Sequence, residues 1–175
     1  MKAGPLVLFA LAAVAGLPAT AAAAGAGPYV PQAIGAEVRD PVCGMYPARY
    51  AGWRSEIVFR DKSIAAFDSP LHMFRFRQRQ GRYDARHKAA DIAAIYVSDY
   101  IEQRWIDSAT AFFVVGSRVR SPMNAEGLPA FGSREAGERF AREQGGKVLS
   151  FDQITPSFLA SLPDDGAAHS AIKGM

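Results

Sequence analysis

Apolar residues recur along the chain in short segments that fall into two groups of the same order. Six segments are rich in β-branched and aromatic residues and are bounded by turn residues, which predicts β-strands. They are residues 55–60, 63–67, 95–100, 110–115, 128–131 and 147–151, with residues 104–107 leading into the fourth. Within each group no helical pattern separates the first two strands, which favours antiparallel pairing.

A helix is predicted between the second and third strands of each group. The first is capped by Asp68 or Ser69, has Pro70 in its first turn and is ended by Gly81. The second is capped by Ser133 and ends at a pair of glycines. The order strand, strand, helix, strand therefore occurs twice, and the predicted fold class is α+β, with two similar small ββαβ units and mostly antiparallel strands.

The same pattern divides the chain into five parts. Residues 1–24 form a signal peptide, 25–54 an N-terminal segment with a Cys-Gly-Met loop, 55–100 the first unit, 101–154 the second unit, and 155–175 a tail with one short helical turn. The signal is indicated by Lys2, a nine-residue apolar stretch and small residues at its end, and nine residues are too few to span a bilayer, which needs about 20. We expect a soluble, exported mature protein; the alternative is an uncleaved anchor.

The composition excludes several classes of protein and of metal site. The chain of 175 residues is 49% hydrophobic and 21% charged, which is typical of a globular protein and excludes a disordered or collagen-like chain. A net charge of +3 is too small to indicate nucleic-acid binding. The chain contains one cysteine, Cys43, which excludes an internal disulfide and a zinc site built on two or more cysteines.

Cys43 lies in a loop, because prolines stand on both sides of it and Gly44 follows. An unpaired cysteine in an exported protein suggests a reactive or metal-binding thiol, the alternative being a small buried apolar residue. Gly44 lets the backbone turn so that the sulfur atoms of Cys43 and Met45 can converge. Thiolate and thioether are soft donors, and soft donors select Cu(I) over magnesium or calcium.

Further candidate ligands lie elsewhere in the chain. Met123 belongs to a loop rich in glycine, serine and proline, where it is either a third sulfur ligand or a side chain folded back onto the core. His72, near the start of the first helix, is either a ligand or a partly exposed helix residue. Its neighbour Met73 fits core spacing. His87 belongs to a solvated basic stretch and His169 to the tail, and neither is expected to be a specific ligand.

Several ordered landmarks resemble the NosL family, the accessory proteins of nitrous oxide reductase. They include Pro41-Val42-Cys43-Gly44-Met45, Trp53, Val97-Ser98-Asp99-Tyr100, Trp105-Ile106-Asp107, Val115-Gly116-Ser117, Pro122-Met123 and Gly145-Gly146-Lys147-Val148. The resemblance implies a periplasmic Cu(I) chaperone with two ββαβ units, not an enzyme, which delivers copper for the copper-sulfide centre of nitrous oxide reductase. Cys43 and Met45 match the family's Cys-Gly-Met loop, and Met123 matches its Pro-Met loop.

The resemblance also implies partners, and two departures from the family accompany it. The partners are nitrous oxide reductase and its maturation transporter complex, with no nucleic acid, and with membrane association only through those partners. Many members carry a lipoprotein cysteine at the signal cleavage site, and this chain has none. Asn124 stands where the family usually has glycine, and asparagine tolerates the left-handed backbone such a turn needs.

Two other function classes use the same residues. In one, the protein is an exported thiol enzyme or redox sensor with Cys43 as nucleophile, and a base or cation such as Arg39, Arg49 or His72 lowers the pKa of its thiol. In the other, the protein is a docking module that binds a partner without metal.

Overall fold

The computed structural model describes Met1 and residues 28–163. The expected signal peptide, most of the tail beyond residue 163, and His169 lie outside the described residues. The strands of the described part are β1 Ser55–Phe59, β2 Ile64–Phe67, β3 Ile92–Ser98, β4 Trp105–Asp107, β5 Phe112–Val115, β6 Ala130–Phe131 and β7 Lys147–Ser150. The α-helices are α1 Pro70–Gln78, α2 Gln80–Tyr83, α3 Arg134–Gln144 and α4 Pro156–Ser161.

The strands form two sheets, and the first strand of each unit lies in the interior of its sheet. One sheet has the order β2-β1-β3-β4 and the other the order β6-β5-β7, and every paired strand is antiparallel to its neighbour. The predicted α+β fold of two ββαβ units is therefore confirmed. The segment Trp105–Asp107 forms β4, which pairs with β3 in the first sheet although it follows the sequence boundary expected after residue 100.

Serine caps begin both long helices, as the sequence predicts. The hydroxyl of Ser69 accepts a hydrogen bond from the backbone N–H of His72, and that of Ser133 accepts one from Ala136. The expected end of the first helix at Gly81 is wrong. The backbone leaves the helical region at Arg79 (φ −131°), and Gly81 lies inside the short helix α2.

The core joins the two sheets through α1. Phe74 of α1 contacts the ring of Phe113 on β5 at a centroid distance of 5.3 Å, so the helix packs against both units. On the other face of the second sheet, Val114, Phe131 and Phe140 of α3 form a second apolar cluster. Alternate residues of β5 thus face opposite sides, as expected of a strand buried on both faces. In the described part of the chain, no helix has the length and apolar character needed to cross a bilayer.

His87 does not lie in a solvated stretch, which corrects the expectation from the sequence. Its imidazole is 10% exposed, and its two nitrogens contact carboxylate oxygens of Asp84 at 2.6 Å and Asp61 at 3.2 Å. The ring stacks on Phe59 at a centroid distance of 3.9 Å. These contacts hold the segment before β3 against the β1–β2 turn. His87 therefore has a structural role and is not part of the Cys43 loop.

Candidate metal centre

The loop that carries Cys43 is closed by backbone hydrogen bonds across Asp40. The Asp40 N–H donates to the carbonyl of Met45, and the Gly44 N–H donates to the carbonyl of Asp40, both at 2.8 Å. Gly44 has φ +80°, a left-handed conformation that favours glycine. One carboxylate oxygen of Asp40 also accepts the N–H of Val42 at 2.7 Å. The half-buried Cys43 is thereby held at the end of a short, closed loop.

The other oxygen of Asp40 connects this loop to the start of α1. It accepts the backbone N–H of Asp68 at 3.0 Å and lies 3.0 Å from Nδ1 of His72. A carboxylate oxygen of Asp68 lies 2.8 Å from the same nitrogen. Asp68 and His72 are four residues apart at the helix start, which places them on one face of the chain. His72 is 2% exposed, so its expected alternative as a partly exposed helix residue is wrong.

Cys43 joins these three residues in one cluster. Its Sγ lies 3.6 Å from an oxygen of Asp68. One donor atom from each of Asp40, Cys43, Asp68 and His72 lies within 4.8 Å of all the others, which is a spacing that a metal ion can bridge. The cluster offers one thiol, one imidazole and two carboxylates; the two aspartates and His72 are buried, and Cys43 is half-buried.

The ionisable groups of the cluster shift one another's pKa values. Burial disfavours a charged imidazole, but hydrogen bonds to the two aspartates and to the Cys43 thiol outweigh it and raise the pKa of His72 to about 11. Burial by itself would raise the pKa of Asp40. The contact with His72 and two backbone N–H donors outweigh that effect, so the pKa of Asp40 is lowered. Burial raises the pKa of the Cys43 thiol. Without metal, the site therefore pairs a charged imidazole with carboxylate and keeps the sulfur protonated.

The two methionines expected as ligands lie on different loops. The backbone N–H of Met45 donates to Sγ of Cys43 at 3.5 Å, and its side chain is half-buried. Met123 is half-buried in the loop between β5 and β6, next to Asn124, whose φ of +56° confirms that asparagine takes the left-handed conformation there. Met73, in contrast, is fully buried in the core, as expected.

The Met123 loop is attached to the helix that carries His72. The carbonyl of Gly127 accepts the backbone N–H of Leu71 at 3.2 Å. Gly127 also lies so close to Trp53 that a β-carbon there would be 2.5 Å from the indole ring. These contacts place the end of the Met123 loop against the first turn of α1, one residue from His72.

Asp40 and Asp68 are the site residues that sequence reasoning missed. Asp40 stands three residues before Cys43 and Asp68 four residues before His72, so each lies within one turn of a named candidate. The sequence indicates Asp68 only as a helix cap, and the Asp-x-x-x-His spacing is the signal that points to its contact with His72. Nothing in the sequence shows that the two aspartates meet at one imidazole, because 28 residues separate them.

Comparison with known proteins finds relatives of this chain in sequence and in fold. The NosL family model matches residues 31–159. The copper-binding lipoprotein NosL of Achromobacter cycloclastes is 28% identical over 148 residues, which cover 79% of this chain and 74% of that protein. The crystal structure of the copper chaperone NosL from Shewanella denitrificans superposes with a TM-score of 0.63 and 26% identity, covering 75% of this chain and 99% of that one.

Proposed function

Because the chain belongs to the NosL family, we propose that it is a copper chaperone that binds Cu(I) at Cys43. The observation that carries the proposal is the buried cluster, in which the chain's single cysteine lies within 4.8 Å of a histidine donor. The names of the relatives support copper as the metal, since they are described as a copper-binding lipoprotein and a copper chaperone. The soft donors support the Cu(I) state.

The donors of the site divide into ligands and supports. The thiolate of Cys43 supplies most of the affinity, and the thioethers of Met45 and Met123 add soft donors from two loops. His72 is a nitrogen ligand whose ring orientation is fixed by carboxylates at Nδ1, the arrangement commonly seen behind metal-bound histidines. Carboxylate oxygens are hard donors, so Asp40 and Asp68 position the imidazole rather than hold Cu(I).

Binding exchanges a proton for the ion at the sulfur. The Cys43 thiol is protonated in the metal-free site because burial raises its pKa. Cu(I) replaces that proton, and because the metal-free imidazole is charged, ligation by His72 releases a second proton from Nε2, so loading lowers the net charge of the cluster by one. Binding is therefore coupled to proton release, and reprotonation of the two ligands favours release of the ion, which suits a protein that must both accept and surrender it.

Ligands on loops also suit a carrier. The thioether ligands lie on loops, so one of them can leave and open a side of the site, where a ligand of the receiving protein enters before the thiolate bond breaks. We propose that the receiver is nitrous oxide reductase, reached with its maturation transporter complex, and that the copper serves the copper-sulfide centre. The support is the match of sequence landmarks to the family, and the lipoprotein name of one relative supports delivery outside the cytoplasm, in the periplasm.

Anaerobic competition between the protein and a colorimetric Cu(I) chelator tests the proposal. The wild-type protein is expected to bind one Cu(I) tightly, Cys43→Ser to lose that binding, and Met123→Leu to bind more weakly. Met73→Leu is the matched control, because it makes the same change in the buried core and roughly conserves volume. Full affinity in Cys43→Ser, or equal losses in both methionine variants, would contradict the proposed ligands.

The thiol-enzyme alternative uses the same cysteine differently. A nucleophilic cysteine needs a depressed pKa, whereas burial raises the pKa of the Cys43 thiol. We therefore propose that the protein is not an enzyme. Turnover of a peroxide or thiol substrate by the metal-free protein, lost in Cys43→Ser, would favour the alternative.

A further inference from the structure

Two arginine side chains are stacked on the tyrosine that follows the Cys-Gly-Met loop. The guanidinium carbon of Arg39 lies 4.4 Å from the ring centroid of Tyr46, and that of Arg49 lies 4.5 Å from it. Both distances are typical of cation–π contacts. Arg39 also donates to the carbonyl of Gly44 at 3.0 Å and to the hydroxyl of Tyr46. Two positive charges are therefore fixed beside the loop that carries Cys43.

These charges are exposed and have no acidic partner in the described part of the chain. Arg39 and Arg49 both face solvent, and neither makes a salt bridge with a carboxylate of residues 28–163. Arg104, by comparison, pairs with Glu102 on the surface. Tyr46 stacks against both guanidiniums, and Arg39 also donates to Tyr46 and to the Gly44 carbonyl, but none of these groups carries a compensating negative charge.

We infer that the Arg39–Tyr46–Arg49 stack is a docking surface for an acidic patch on the protein that exchanges copper with this chain. This inference rests on the proposed function, and it adds the chemical class of the partner surface and its place beside the site. Ordering arginine side chains usually costs rotamer entropy on binding, and here the ring has already restricted both. A carboxylate-rich surface that approached the open side of the copper site would therefore gain two preordered partners.

A protein surface fits the stack better than a small buried anion does. Exposed guanidiniums act over a distance set by the Debye length, about 8 Å at physiological ionic strength, and so guide a partner before contact. Charges at the rim of an interface mainly change the association rate and its salt dependence, with little effect on the equilibrium affinity for the metal. The stack is therefore expected to make the rate of copper transfer depend on the charge of the copper donor.

Two synthetic peptides serve as copper donors in the test. They have the same length and methionine spacing, with glutamate in one and lysine in the other at the remaining positions, and each is loaded anaerobically with Cu(I). Transfer to the protein is followed by stopped flow through the thiolate-to-Cu(I) charge-transfer absorbance. At low salt, the wild-type protein is expected to load Cu(I) faster from the acidic peptide than from the basic one. Arg39→Gln/Arg49→Gln is expected to load from the acidic peptide about five- to tenfold more slowly than the wild type.

Matched variants separate steering from damage to the loop. Arg139→Gln/Arg142→Gln removes the same charge from the exposed face of α3 and is expected to change the rate less than about twofold, because it lies away from the loop. Arg49→Gln alone touches no backbone of the loop and is expected to keep the equilibrium Cu(I) affinity while slowing transfer from the acidic peptide. Equal slowing with both peptides, or an equal effect of the α3 pair, would overturn the inference. Failure to load Cu(I) from any donor would overturn the proposed function itself.

Discussion

Asp40 acts on both halves of the candidate site, because each of its carboxylate oxygens has a different task. One oxygen accepts the Val42 N–H and shapes the Cys43 loop, and the other accepts the Asp68 N–H and contacts His72. A single buried carboxylate thus fixes the position of the thiol loop relative to the imidazole.

Replacing Asp40 with asparagine keeps its shape but removes the charge and one acceptor. His72 would then lose one of its two carboxylate contacts, and an amide N–H₂ would face a backbone donor. We expect a loss of about 2–4 kcal/mol in the free energy of unfolding, the range for breaking a buried charged contact, together with weaker Cu(I) binding. Urea denaturation and chelator competition measure the two effects. Asp152→Asn, on the surface, is the control, and equal stability of the two variants would contradict this role.

Glu56 is a buried carboxyl outside the cluster, on the face of β1 that contacts the N-terminal segment. One oxygen accepts the backbone N–H of Gln32 at 2.9 Å, and the other is buried without a hydrogen-bond partner among the described residues. Burial raises the pKa of Glu56 to about 7, against the opposing effects of the Gln32 N–H and the Arg54 charge. Tyr96 on β3, which is paired opposite Glu56, is the other titratable group that faces it.

The raised pKa of Glu56 predicts a pH-dependent stability near neutrality. The folded protein binds this proton more tightly than the unfolded chain, whose carboxyl titrates near 4.5. The stabilisation by the neutral carboxyl is therefore complete below pH 4.5 and is lost as the pH rises through about 7. We expect the melting temperature of the wild type to fall between pH 6 and pH 8, and Glu56→Gln to lose most of that slope. Parallel slopes in the two proteins would show that Glu56 does not titrate in this range.

At the scale of elements, the loop between β5 and β6 reaches the candidate site through one glycine. Gly127 binds the start of α1 through its carbonyl and leaves no room for a side chain, since a β-carbon would be 2.5 Å from the Trp53 ring and 2.6 Å from Ser121. Neither neighbour is a flexible chain end, so a larger residue has to displace the loop. The position of Met123 therefore depends on a packing contact four residues away.

Gly127→Ala is expected to weaken Cu(I) binding without touching a ligand. The clash shifts the Met123 loop from α1, so we expect an affinity loss comparable to that of Met123→Leu and a stability loss of about 1–3 kcal/mol, as for overpacking. Gly81→Ala is the control, because a β-carbon at that position in α2 meets nothing within 4 Å. If Gly127→Ala bound Cu(I) as tightly as Gly81→Ala, the loop would not contribute a ligand. Combining Gly127→Ala with Met123→Leu should add little further loss.

The elements that sequence reasoning predicts well are those specified by local chemistry. Ser69 and Ser133 cap helices because a side-chain oxygen meets an N–H three residues on, which depends on near neighbours alone. The first helix ends at Gln78 rather than at Gly81, because the chain turns at Arg79 before the glycine is reached. A glycine marks where a helix can end, and packing of the surrounding chain decides where it does end.

The candidate site was predictable only in part for the same reason. The Cys43 loop could be recognised from its prolines and Gly44, since loop chemistry is local. His72 could be named but not oriented. Asp68, four residues earlier, is a local partner, but Asp40 meets the imidazole only after β1 and β2 pair and bring the chain back to the loop. Long-range contacts of this kind leave no periodic pattern in a single sequence.

At the scale of the whole molecule, the two units are joined by Asp99, at the end of β3. Its side chain is buried, and one oxygen accepts the N–H groups of Ile101 and Glu102 while the other accepts that of Gly132 in the second unit. Beside it, Tyr100 donates its backbone N–H to the carbonyl of Ala130 at 2.8 Å. The turn between β3 and β4 of the first sheet is thereby bonded to β6 of the second sheet. Because α1 contacts both sheets as well, we expect the units to unfold together.

Asp99→Ala tests whether that junction holds the units in one cooperative fold. The change removes three charge-assisted hydrogen bonds and leaves backbone donors without an acceptor, so we expect a loss of about 3–5 kcal/mol in the free energy of unfolding. Asp107→Ala is the matched control, since that aspartate also ends a strand but accepts only the N–H of Ala109 through its side chain, at an exposed turn. Asp107→Ala is expected to lower the free energy of unfolding by about 1 kcal/mol or less. Calorimetry of the metal-free protein compares them: one sharp transition at a lower temperature in Asp99→Ala supports a junction that stabilises both units together. Two separate transitions in the wild type would instead mean that each unit folds alone, and the Met123 loop could then move relative to Cys43 without unfolding either sheet.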